Sequence, residues 1–200
     1  MYSRRTGFVL GFHGCDREIR DNIVSKKGVL LKASENRYDW LGHGAYFWEN
    51  NHERALKFAH ELKANPPKGK ENLIKEPAVL GAIIDLGYCL DLLDSKYLEV
   101  LKESYVILCE VTSKVGNPMP ENYTSSSGEL LLRNLDCAVI QTAHEINSKL
   151  GRQEYDSVRG VFLEGDDLYV NAGFKEKNHI QIAIRNQSCI KGFFIPRDME

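Results

Sequence analysis

Three short stretches carry side chains of a kind that does chemistry: "FHG" at 12–14, "GHGAYF" at 42–47 and "HIQIAIR" at 179–185. His13 brings an imidazole to the end of an apolar run, and Gly14 follows at once. A ring nitrogen beside bare backbone can hydrogen-bond a sugar hydroxyl and a carboxamide. Tyr46 stands two residues after Gly44, among Trp40, Phe47 and Trp48. Glycine lets a backbone approach a partner closely or take a positive φ, and an aromatic face can stack on a planar ring. Gln181 offers an amide that can hold a hydroxyl, although its alternation with Ile180 and Ile182 also suits a solvent-facing strand residue. Phe47, Trp48 and Phe58 also read as core aromatics, and His43, His52, His60 and His179 as surface residues.

Other chemistries find no signature. There is no phosphate-binding G-x-x-x-x-G-K-[ST] loop, no G-x-G-x-x-G, no H-E-x-x-H and no G-x-S-x-G. The six histidines are scattered and none has metal-ligand spacing, so no metal is expected. Five cysteines, Cys15, Cys89, Cys109, Cys137 and Cys189, are odd in number and widely spaced, which argues for a reducing compartment and a cytoplasmic protein. The apolar run after Arg4 and Arg5 breaks at His13, too short for a signal peptide or a membrane span. With 200 residues, 42% hydrophobic and 27% charged, the chain is expected to form one domain over 1–200. A net charge of −2 does not mark a non-specific nucleic-acid binder.

The elements that must position these residues are mixed. Strands are expected at 7–14, 44–49, 78–87, 157–164, 179–185 and 189–196. Helices are expected at 16–28, 95–111 and within 128–151, with a further one capped by Asn50 and placing Ala55, Phe58, Ala59 and Leu62 on one face. Segments 63–77 and 113–128 read as loops, being rich in Pro, Gly, Asn and Ser. Strands at both ends with helices between them predict an α+β fold.

In this order the motifs resemble the ADP-ribosyltransferase superfamily, in its diphtheria-toxin and poly-ADP-ribose-polymerase branch. That branch shows H-G-[ST] on its first strand, then G-x-G-x-Y-F, then an aromatic about a dozen residues on, and a glutamate that begins a strand near the C-terminus. Here stand "HGC" at 13–15, "GHGAYF" at 42–47, Phe58, and "QIAIRNQSCIKGFF" from 181. The resemblance implies an ADP-ribosyltransferase-like fold, a split antiparallel or mixed β core around an NAD cleft with peripheral helices. It implies that His13 binds the adenosine ribose of NAD, that Gly14 holds the nicotinamide carboxamide, and that Tyr46 beside Gly44 stacks on the nicotinamide with Phe58 as the second aromatic. Cys15 replaces the usual Ser or Thr. Gln181 takes the place expected of the catalytic glutamate.

The last departure matters because cleaving the nicotinamide–ribose bond builds positive charge on the sugar, as in glycosidases. An amide binds the hydroxyl but brings no negative charge; Glu164, Asp166, Asp167 and Glu176 lie in the preceding loop and could supply it. The resemblance thus implies an NAD-dependent mono-ADP-ribosyltransferase acting on RNA, DNA or protein. An intracellular toxin of a toxin–antitoxin or phage-defence system, with an antitoxin partner and no membrane association, fits that reading. A degenerate module that binds NAD or ADP-ribose without turnover, or a partner-binding protein, is the alternative.

Overall fold

Alternating apolar residues build the strands of a seven-stranded sheet to which both ends of the chain contribute. The computed structural model describes residues 7–67, 69, 73–124 and 130–197. Its elements run β1 Val9–Asp16, α1 Arg17–Ser25, β2 Ala45–Glu49, α2 His52–Ala64, β3 Pro77–Ile84, β4 Cys89–Asp91, α3 Ser95–Val115, β5 Asn122–Thr124, β6 Leu130–Arg133, α4 Asn134–Lys149, β7 Ser157–Phe162, β8 His179–Ile184 and β9 Ile190–Phe194. The sheet order is β4-β7-β8-β2-β1-β3-β9. The β4–β7 pair is parallel and the others are antiparallel, while β5 and β6 form a separate two-stranded ribbon. This is the mixed α+β arrangement expected from the pattern of elements.

Strand alternation assigns the two faces. On the front lie Phe12, Gly14, Tyr46, Trp48, Gly160, Gln181 and Ala183, which face α2, α3 and α4; Tyr97 of α3 and Ile140 of α4 join Leu90, Val158 and Ala183 in one cluster, and Ala55 of α2 joins Phe12, Trp48 and Val79 in another. On the back, Cys15, Phe47, Leu80, Ile182 and Ile184 form a cluster with Ile23 of α1 and Leu31. Burial pushes the Cys15 thiol up to about 12, so it acts as a small apolar filler.

The helix starts show how local chemistry fixes the chain. Asp16 caps α1 by accepting from the Glu18 N–H at 3.0 Å, and its other oxygen accepts from Lys75 N at 2.6 Å and Glu76 N at 3.0 Å. One carboxylate therefore ties the end of β1 and the start of α1 to the approach to β3. The cap of α2 is Asn51, one residue later than expected: it accepts from Arg54 N at 2.9 Å, while Asn50 adopts a left-handed φ of +51° that turns the chain out of β2. The expected helix within 128–151 begins at Asn134, because Leu130–Arg133 extend as β6 against β5; residues 128 and 129 lie outside the described residues. Asn122 of β5 then caps α4 from outside, accepting from Leu135 N at 2.9 Å.

Candidate functional site

β1 and β2 pair at Gly11–Glu49 and Phe12–Trp48, and their ladder stops there. β1 continues against β3 as far as Asp16–Pro77, and β2 continues against β8 through Ala45–Ile184. The two central strands therefore part where His13 and Gly14 begin. Across the gap the His13 ring reaches over, and its Nδ1 donates to the Tyr46 carbonyl at 2.8 Å. That bond fixes the proton on Nδ1 and leaves Nε2 as an acceptor. Burial lowers the pKa of His13, with the carbonyl contact opposing it, so the ring is neutral near pH 7.

The strands carrying all three motifs are neighbours, in the order β8-β2-β1. Tyr46 and Gln181 share the front face. The His13 side chain alternates to the back, where its ring lies 6.0 Å from that of Phe47, so it meets Tyr46 through the backbone instead of converging with the tyrosine ring. The Tyr46 hydroxyl donates to Gly42 O at 2.7 Å and accepts from Leu41 N at 2.8 Å. Burial raises its pKa, and its ring packs against the cluster of Leu41, Ile140 and Ala183. Two nearby glycines answer to backbone geometry. Gly42 takes a φ of +74°, and a Cβ on Gly44 would come within 2.9 Å of Ile184 O. A Cβ on Gly14 would meet Ala55 O at 2.1 Å, so this glycine lets the backbone of α2 cross β1 closely.

Beside Gln181 the front face holds a cluster that sequence patterning did not reveal. Trp48 pairs with Gln181 across β2 and β8 and packs on Phe58 of α2, with ring centres 4.9 Å apart. The Phe58 ring thus meets an indole where the family resemblance places a nicotinamide. The Arg54 guanidinium lies over Trp48 at 5.5 Å and donates to both oxygens of Glu164, at 3.1 and 3.2 Å. His179, expected at the surface, is 6% exposed, and its Nδ1 lies 3.7 Å from Glu164. Burial lowers the pKa of His179, and the nearby Glu164 charge opposes that shift.

The four acids of the loop before β8 separate clearly. Glu164 turns into the cluster, Asp167 pairs with Lys175 at 2.6 Å on the surface, and Asp166 and Glu176 are exposed. Cavities of about 630 and 610 Å³ flank α4, and neither is lined by His13, Gly14, Tyr46 or Gln181; the first, however, reaches Trp40, Gly160 and Phe162, next to His179 and Gln181.

Compared with protein-family models, curated proteins and solved structures, the chain matches none.

What the sequence did hold for this cluster is a spacing and a position. Arg54, Phe58 and Glu61 follow an i, i+4, i+7 pattern that places them on one face of α2. His179 is the first residue of β8, on the same face as Gln181 two positions later. Among the described residues no group of three or more side chains is disposed to hold a metal ion, and no helix is long and apolar enough to cross a membrane.

Proposed function

We propose that this chain is an NAD-dependent mono-ADP-ribosyltransferase that moves ADP-ribose to a macromolecular acceptor. The observation that carries the reading is the parting of β1 from β2 at His13–Gly14. It leaves one edge of Gly14 outside the β1–β2 ladder, in the sheet region where the three motifs meet. A free backbone edge of that kind suits a carboxamide, which both donates and accepts. His13, held by the Tyr46 carbonyl, presents a neutral Nε2 that can accept from a ribose hydroxyl.

The transfer breaks the bond between ribose C1′ and the nicotinamide nitrogen, and the bonding pair leaves with nicotinamide. A nucleophilic oxygen or nitrogen of the acceptor then bonds C1′ and gives up its proton. Positive charge develops on the sugar meanwhile, and a nearby carboxylate stabilises it. Glu164 takes that role in our reading, since it alone of the four loop acids faces the cluster beside Gln181. Gln181 orients the hydroxyl. The family resemblance implies a glutamate where Gln181 stands; His179, two residues earlier on the same face of β8, has Glu164 beside it at 3.7 Å.

The loop between β7 and β8 is braced against α2 by Lys177–Glu61 and Glu164–Arg54, while its tip exposes Leu168, Tyr169, Val170 and Phe174. An apolar tip on the loop that carries Glu164 suits contact with an acceptor or with a neutralising partner. A second reading, an NAD- or ADP-ribose-binding module without turnover, is favoured by Gln181, an amide where the resemblance implies a carboxylate. Calorimetric titration with NAD, run alongside an assay for free nicotinamide, separates the two. Binding with release supports the transferase, binding without release supports the module, and neither event overturns both. Labelled NAD in a whole-cell lysate, followed by nuclease or protease, then identifies the polymer modified.

A further inference from the structure

Three buried nitrogen atoms of the front cluster have no hydrogen-bond partner: Trp48 Nε1, Arg54 Nε and His179 Nε2. They come from three elements, β2, α2 and β8, and they gather about one indole. The Arg54 guanidinium lies 5.5 Å from the Trp48 ring centre, and the His179 ring lies 6.2 Å from it. The residues are 4%, 7% and 6% exposed, so bulk solvent does not reach these atoms. An orphaned buried polar atom is uncommon in a folded protein, and each one calls for an explanation. Phenylalanine would fill this part of the core without an N–H to satisfy.

The three atoms form a mixed set. Trp48 Nε1 and Arg54 Nε are donors. His179 Nδ1 donates to the Lys177 carbonyl at 2.6 Å, which leaves Nε2 as an acceptor. A phosphate oxygen only accepts and cannot serve His179, whereas an ammonium only donates and cannot serve Arg54. A hydroxyl does both. The terminal nitrogens of Arg54 are already held by Glu164 and Glu61, so its charge is compensated and its Nε remains.

We propose that Trp48 is a gate: its indole occupies a subsite for a sugar hydroxyl between β2, α2 and β8. It swings aside as ligand enters, uncovering Arg54 Nε, His179 Nε2 and the Gln181 amide. The inference rests on the NAD reading above and assigns the nicotinamide-bearing ribose to this subsite. Displacement of the indole also frees the Phe58 ring, which Trp48 now covers.

The chain has two tryptophans, so Trp40→Phe leaves Trp48 as the sole indole emitter. That variant is titrated with NAD and with ADP-ribose while emission is followed, and calorimetry on the same protein measures binding independently. The expected result is a red shift that saturates at the calorimetric midpoint, as the indole leaves a buried site for water. Trp48→Ala, with the gate removed, is expected to bind NAD about tenfold more tightly, because the competent state no longer has to be selected. If Trp48→Ala does not fold, the emission titration still decides. NAD binding with Trp48 emission unchanged, or unchanged affinity in folded Trp48→Ala, overturns the gate and leaves the NAD reading standing. Absence of NAD binding in every variant overturns both.

Discussion

Glu164 couples charge to burial, and its two simplest substitutions should behave differently. Glu164→Ala leaves the buried Arg54 guanidinium with Glu61 at 3.4 Å beside it, so the loss should fall short of about 3–5 kcal/mol, the cost of a wholly broken buried pair. Glu164→Gln keeps an oxygen for Arg54 but removes the negative charge. It should stay folded by chemical denaturation while nicotinamide release falls about 100-fold or more, the scale expected when one electrostatic contact to a transition state is lost. Release by Glu164→Gln at the wild-type rate would move the role to another acid. At this scale the motifs holding His13, Gly14, Tyr46 and Gln181 stand out in the sequence because each is local, and the fold makes their three strands neighbours. Glu164 was legible only as one of four acids, since nothing in a loop sequence tells which carboxylate turns inward. Arg54 and His179 were not legible: a charged helix residue and a histidine at a strand start both read as solvated until the fold buries them. The ring of Tyr46 was expected in a ligand cleft, but two hydrogen bonds to Leu41 and Gly42 hold its hydroxyl in the protein.

The decisive element is the short ladder between β1 and β2. Both strands follow from the sequence pattern, but neither their pairing nor its early end does, because alternation is the same in paired and parted strands. The three-residue strands β4 and β5 escaped for the related reason that so few residues show no period. The approach of α2 gives a direct test. Gly14→Ala sets a methyl 2.1 Å from the Ala55 carbonyl, so α2 must shift and thermal stability should drop, whereas Gly192→Ala meets nothing within 4 Å and should leave stability nearly unchanged. Equal melting temperatures for the two variants would refute the close crossing. The loop between β7 and β8 is tested separately. Val170 is 89% exposed at its tip, and Tyr169→Ser with Val170→Ser should lower labelling of the acceptor several-fold while leaving hydrolysis of NAD unchanged. Parallel loss of both activities would place the tip in the cleft itself.

Across the molecule, three histidines, His144 and His179 buried and His13 half-buried, tie stability to pH. Burial lowers the pKa of His13, His144 and His179, and that of His144 falls to about 3. The unfolded chain takes up these protons near its ordinary value of 6.5, before the folded protein does, so the stabilisation is complete above pH 6.5 and drains away as pH falls toward 3. Each histidine held neutral contributes a slope of about 1.4 kcal/mol per pH unit within its window. Urea midpoints should therefore fall between pH 7 and pH 4.5, and His144→Leu should flatten that fall because neither ring nitrogen of His144 has a partner to lose. An unchanged slope in His144→Leu would remove this histidine from the account. The same neutrality bears on function, since His13 and His179 offer acceptor nitrogens only while unprotonated. The most direct test of the central claim is the time course of free nicotinamide when purified protein, NAD labelled in its adenosine half and a cell lysate are combined at pH 7.5. The account predicts that nicotinamide appears in step with adenosine label on a macromolecule. NAD recovered intact, with no label transferred, would contradict it.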